Sequence, residues 1–191
     1  MKLFSLIVLL IMAASVNVSA EQSSKSKVNT WVEGGATATK GGASVAVGIR
    51  MGYFGLKFGY GGDKDYSSSD IYDAYPIAPG LLGASSKPVG KRSVSPAYGF
   101  DYMGILDLVG PLAVYGELGT YWQEQRQVRV VTGSGLTGWP VGTLYNIEPK
   151  KQEFVPAAGG GLQWRFSGWP IMLTLGYHTI RGVSGGIGFA L

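Results

Sequence analysis

From Leu112 to Gln123 the residues alternate in character at every step. Leu112, Val114, Gly116, Leu118, Thr120 and Trp122 fall on one side of an extended chain; Ala113, Tyr115, Glu117, Gly119, Tyr121 and Gln123 fall on the other. A period of two is the signature of a strand with two unlike faces, because successive side chains point to opposite sides. The period recurs along the chain. Phe54, Leu56, Phe58 and Tyr60 oppose Gly55, Lys57 and Gly59. Phe154, Pro156, Ala158, Gly160, Leu162, Trp164 and Phe166 oppose Ala157, Gly159, Gly161, Gln163 and Arg165. Ile171, Leu173, Leu175 and Tyr177 oppose Thr174, Gly176 and His178.

One face is apolar and aromatic, and the other mixes small residues with isolated charges. A soluble sandwich would turn the small and charged face to water. Here that face carries too much glycine for a solvated surface. The large residues Phe54, Trp122, Trp164, Phe166 and Tyr177 stand near strand ends, as interfacial aromatic girdles do. The pattern predicts an all-β, eight-stranded antiparallel up-and-down transmembrane β-barrel. Its strands are expected at Val28–Ala38, Ala43–Met51, Tyr53–Gly61, Ser93–Leu106, Leu112–Val131, Gln152–Phe166, Ile171–Ile180 and Val183–Leu191. Each approaches or exceeds the roughly 9–11 residues that a tilted strand needs to cross a bilayer.

The connections support this reading. Met51-Gly52-Tyr53, Asp107 to Pro111 and Ser167 to Pro170 are short, whereas Gly62–Arg92 and Thr132–Lys151 are long. Short turns on the periplasmic side and longer loops outside are the outer-membrane arrangement. The two long loops, 62–92 and 132–151, are the candidate binding surface for an extracellular ligand, since function concentrates on loops above a rigid scaffold.

The N-terminus fits export. Met1-Lys2, the apolar run Leu3 to Ala14 and the small residues before Glu21 read as a signal peptide over residues 1–20, with the barrel domain over 21–191. The absence of cysteine excludes disulfides and thiol chemistry. The net charge of +4 is scattered without a stripe or run, so no nucleic-acid partner is expected.

Charges on the second face are few. Glu33, Asp101 and Glu117 stand against Arg50, Lys57 and Arg165, with His178 beside them. A charge inside a narrow barrel is costly unless paired. The balance predicts an ion-pair network of Glu33, Arg50, Lys57, Asp101, Glu117, Arg165 and His178 that fills the lumen.

The motifs AYGFDYMG, PLAVYGELGTYW and PAAGGGLQWRFSGWPIMLTLGYHTIRGVSGGIGFAL resemble the small outer-membrane β-barrel proteins of the OmpA-like transmembrane type. The resemblance covers nearly all of residues 21–191. It implies outer-membrane lipid and the barrel-assembly machinery as partners, with Ile187, Phe189 and Leu191 as the assembly signal. The family signal ends in an aromatic at the final position, where this chain has Leu191.

Catalysis has weak support. No HExxH, P-loop or GxSxG occurs, and Gly159–Gly161 lacks the following Lys-Ser/Thr of a phosphate cradle. An outer-membrane lipid-modifying enzyme, similar to a lipid A deacylase, would need His178 to meet Ser184 or Ser95 and Asp101 or Glu117. Ile180 stands where the deacylase motif has its Ser. A soluble periplasmic ligand-binding barrel would need the opposite placement of charge. The expectation is a structural or surface-interaction protein, not an enzyme, without cofactor or metal.

Overall fold

The computed structural model describes residues 28–37, 42–62, 64–75, 85–108, 110–133 and 139–190. The expected signal peptide and Leu191 lie outside them. Among the described residues the chain forms strands and one 3-10 turn, Ser68–Asp70. The strands are β1 (Val28–Ala36), β2 (Ala43–Met51), β3 (Phe54–Gly61), β4 (Ile71–Asp73), β5 (Ser86–Ser93), β6 (Ala97–Asp107), β7 (Leu112–Val131), β8 (Leu144–Asn146), β9 (Lys151–Arg165), β10 (Ile171–His178) and β11 (Gly182–Ala190).

Eight of them close a ring in the order β7-β6-β3-β2-β1-β11-β10-β9, with β9 pairing back to β7. The fold is a closed, eight-stranded antiparallel barrel. Closure pairs the first strand with the last, from Asn29 opposite Ala190 to Ala36 opposite Val183. It leaves the ring without a free strand edge.

The chain divides into two compact units. The barrel unit takes its described residues from within Met1–Gly62, Tyr98–Tyr121 and Pro156–Leu191. Its tight turns form where the chain reverses over a few residues. Gly52 has φ 63° in the two-residue link between Met51 and Phe54, a left-handed conformation that other residues adopt only with strain. The interior depends on glycine in another way. Trp31 lies between Gly48 on β2 and Gly188 on β11, and its indole occupies the space that a side chain on Gly48 would need. Trp31, Met103, Ile105, Ala113, Tyr115 and Met172 form a buried apolar cluster inside this unit.

The second unit comprises Asp63–Ala97 and Trp122–Val155. Here β4 pairs in parallel with β8, while β5 and β8 both pair antiparallel with β7. Two apolar clusters lie within it. Ile71, Val94 and Val128 form one, and Ala74, Val131 and Tyr145 form the other. The long connections therefore contain paired strands with packed side chains, which a reading based on their polar residues did not distinguish.

The structure corrects one expected strand. Ser93–Leu106 is not continuous: β5 ends at Ser93 and β6 begins at Ala97. Pro96 has no backbone N–H for a ladder. Before it, Val94 N donates to Glu124 O at 3.0 Å, and Ser95 Oγ accepts from Glu124 N at 3.1 Å. The inward-outward alternation of β7 also breaks beyond Gln123, where the next buried positions are Arg126, Val128 and Val131.

Candidate functional site

The barrel interior collects charge at its centre. Strand alternation turns Glu33 of β1, Lys57 of β3, Asp101 of β6 and Glu117 of β7 inward, and all four are buried. Lys57 Nζ lies 3.0 Å from Glu33 Oε1 and 2.7 Å from Glu117 Oε2. It also sits over the Tyr115 ring, 4.6 Å from the centroid. A residue outside the alternating segments completes the set. Arg181, in the turn between β10 and β11, reaches Glu33 Oε2 at 3.2 Å, Asp101 Oδ2 at 3.3 Å and Glu117 Oε1 at 3.0 Å. Its Nε donates to Tyr121 Oη at 3.0 Å, and Tyr121 donates in turn to Asp101 Oδ2 at 2.8 Å.

His178 ends β10 beside this turn. Its Nδ1 accepts from the backbone N–H groups of Ile180 at 3.2 Å and Arg181 at 3.1 Å. An atom that accepts two N–H bonds carries no proton, so the proton of the neutral ring sits on Nε2. Nε2 then donates to Asp101 Oδ1 at 3.1 Å. The histidine thereby fixes the hairpin that delivers Arg181. With His178 neutral, three carboxylates face Lys57 and Arg181, for a net charge of −3 + 2 = −1.

Arg50 and Arg165 do not join this cluster, contrary to the single network expected from sequence. They gather on Asp107 at the turn end of the barrel. Arg50 Nη2 donates to both Asp107 oxygens at 2.8 Å, and Arg165 also pairs with Asp107. Arg50 Nη1 donates to Gln163 Oε1 at 3.4 Å. Arg50 and Arg165 lie near the turn ends of their strands, so Asp107 is within reach and the central carboxylates are taken by Lys57 and Arg181. This second cluster carries −1 + 2 = +1, so the two clusters together balance four acids with four bases.

Sequence alternation missed Arg181 and Asp107 because both were placed in turns. The available signal was the lone arginine in the short Thr179–Gly182 reversal, whose side chain is long enough to enter the lumen.

Asp101, Glu117 and His178 offer metal-ligating atoms within 4.8 Å of one another. Arg181 Nη2 already contacts both carboxylates, so a guanidinium supplies the positive charge that a metal would bring. The hydroxyl groups considered for catalysis are engaged elsewhere. Ser184 Oγ donates to Glu33 Oε2 at 3.4 Å, and Ser95 Oγ accepts from the Glu124 backbone. Neither of these contacts is with His178.

The exterior is the reverse of the interior. Phe54 is 75% exposed and Leu118 70%, and Phe58, Leu106, Leu162, Trp164, Leu173, Leu175, Tyr177 and Val183 are also exposed. Of the expected assembly signal, Ile187 and Phe189 point outward and are exposed.

No family model matches the sequence, and no curated protein matches it. Among the solved structures to which the chain is similar are the following three. A de novo designed transmembrane β-barrel is 15% identical, over 90% of this chain and 100% of that chain, with a TM-score of 0.46. The N-terminal β-barrel domain of Pseudomonas aeruginosa OprF is 13% identical, over 88% of this chain and 100% of its own, with a TM-score of 0.47. Neisserial surface protein A is 13% identical, over 90% of this chain and 100% of its own, with a TM-score of 0.36. The barrel of this chain stands on its own strand pairing.

Proposed function

We propose that this chain is an outer-membrane β-barrel with a structural and surface-interaction role. One observation carries the reading: the barrel unit exposes its large apolar side chains and buries its charges. In water that distribution would leave a wide apolar surface unpaired, whereas in a bilayer it meets hydrocarbon. The balanced ion pairs and the apolar cluster support a filled lumen in place of an open pore. The short turns face the periplasm, and the connections 62–92 and 132–151 face outward and bind the extracellular ligand. Outer-membrane lipid and the barrel-assembly machinery are the remaining partners, the latter engaging the outward Ile187 and Phe189. No catalytic step is assigned to His178, whose two ring nitrogens are committed to the hairpin and to Asp101.

The test is a heat-modifiability gel on chain refolded in detergent, run boiled and unboiled. A compact band that shifts on boiling supports the membrane barrel. A chain that folds and stays soluble without detergent, with no shift, overturns it.

A further inference from the structure

Inside the barrel unit, among the described residues, four buried polar side-chain atoms have neither a hydrogen-bond partner nor an ion pair in the protein; Glu117 Oε2, which also lacks a hydrogen bond, is ion-paired with Lys57. The four are both amide atoms of Asn29, Nε2 of Gln163 and Oγ1 of Thr174. Their residues are 1%, 0% and 5% exposed. Buried polar groups are nearly always paired, with protein or with an ordered water.

These residues are linked through pairs on neighbouring strands and one hydrogen bond that spans the lumen. Asn29 stands opposite Arg50 across β1 and β2. Arg50 bonds Gln163, and Gln163 stands opposite Thr174 across β9 and β10. Thr174 faces Gly186 across β10 and β11. A Cβ on Gly186 would lie 2.7 Å from Thr174 Oγ1 and 2.8 Å from Glu33 Cγ, so this glycine leaves the space between them open. A polar column therefore runs from the Arg50–Asp107–Arg165 cluster to Glu33. It passes beside the apolar cluster of Trp31 and Met172.

We propose that Asn29, Gln163 and Thr174 hold a file of bound water molecules that joins solvent at the turn end to the Glu33 carboxylate. The chemistry of the column selects water over an ion. Gln163 Nε2 donates, the Thr174 hydroxyl donates and accepts, and Asn29 offers one donor and one acceptor. An anion would leave the Asn29 oxygen unmet, and a cation would face amide N–H groups. Buried water satisfies such mixed sets with two to four hydrogen bonds. Asp107, 44% exposed at the side chain, marks the mouth of the file. At its inner end the Trp31 indole donates to Glu33 Oε1 at 2.9 Å, which makes the indole N–H a reporter of water arriving there.

The experiment uses isotope-labelled chain refolded in detergent micelles, with water-selective NMR transfer and hydrogen–deuterium exchange. Cross-peaks between water and the side-chain amides of Asn29 and Gln163 are expected. Thr174→Val should slow exchange of the Trp31 indole several-fold, and Thr174→Ser should restore it, with the unfolding midpoint of Thr174→Ser unchanged. If Thr174→Val does not fold, Gln163→Met serves in its place. Amides without water cross-peaks, or an indole whose exchange ignores both variants, would overturn the water file.

Discussion

Arg181 is the residue on which the central cluster turns, since it contacts all three carboxylates while Lys57 contacts two. Arg181→Ala would leave a charge of −3 + 1 = −2 in the interior, and breaking such a buried network by removing one partner costs about 3–5 kcal/mol. The expected outcome is that loss in urea unfolding of lipid-reconstituted protein. Arg181→Lys keeps the charge without the guanidinium fork and should fall between. A pH effect belongs to a different residue. Lys91 donates to Glu153 at 2.8 Å, and this hydrogen bond raises the Lys91 ammonium above the usual lysine range. Its contribution is present at neutral pH and is lost as pH rises through the raised value. An NMR titration of Glu153→Gln should show Lys91 deprotonating at lower pH than in the parent chain. At this scale the sequence exposed much of the site: parity alone turned Glu33, Lys57, Asp101, Glu117 and His178 inward. It did not show Arg181, because parity says nothing of a side chain that enters from a turn.

Among the elements, β1 and its neighbours show how a narrow wall accommodates a large side chain. Trp31 fits because Gly48 and Gly188 flank it. Gly48→Ala places a methyl group against the indole, and overpacking of this kind costs about 1–3 kcal/mol. Thermal unfolding in detergent should show a lowered midpoint, which a Trp31→Phe second substitution should partly restore. The outer face of β7 allows the opposite experiment. Leu118→Arg is expected to destabilise by about 2–4 kcal/mol if Leu118 lies near the bilayer midplane. Unfolding from lipid vesicles would measure it, and a silent substitution would mean that this face meets water. The barrel strands were legible where alternation runs through them, as it does in β7 as far as Gln123. The strands β4, β5 and β8 were not, because β4 and β8 are short and the buried positions of β7 lose their period of two beyond Gln123.

At the scale of the molecule, the barrel unit's apolar surface outside and ion pairs inside reverse the usual rule of a water-soluble domain, and a two-face reading of sequence detects that reversal. That reading also predicted a barrel, although the pairing that closes it, between β1 and β11, joins residues that share no local signal. Asn29 and Ala190 are partners separated by 190 − 29 = 161 positions. The ring is therefore a loop sealed by its own two ends. A chain still emerging from its machinery has every interior charge it needs except Arg181, and it lacks the strand that gives β1 a second neighbour. The seal and that cation arrive together in the one stretch 181–190, so the barrel cannot become native before that stretch has been made.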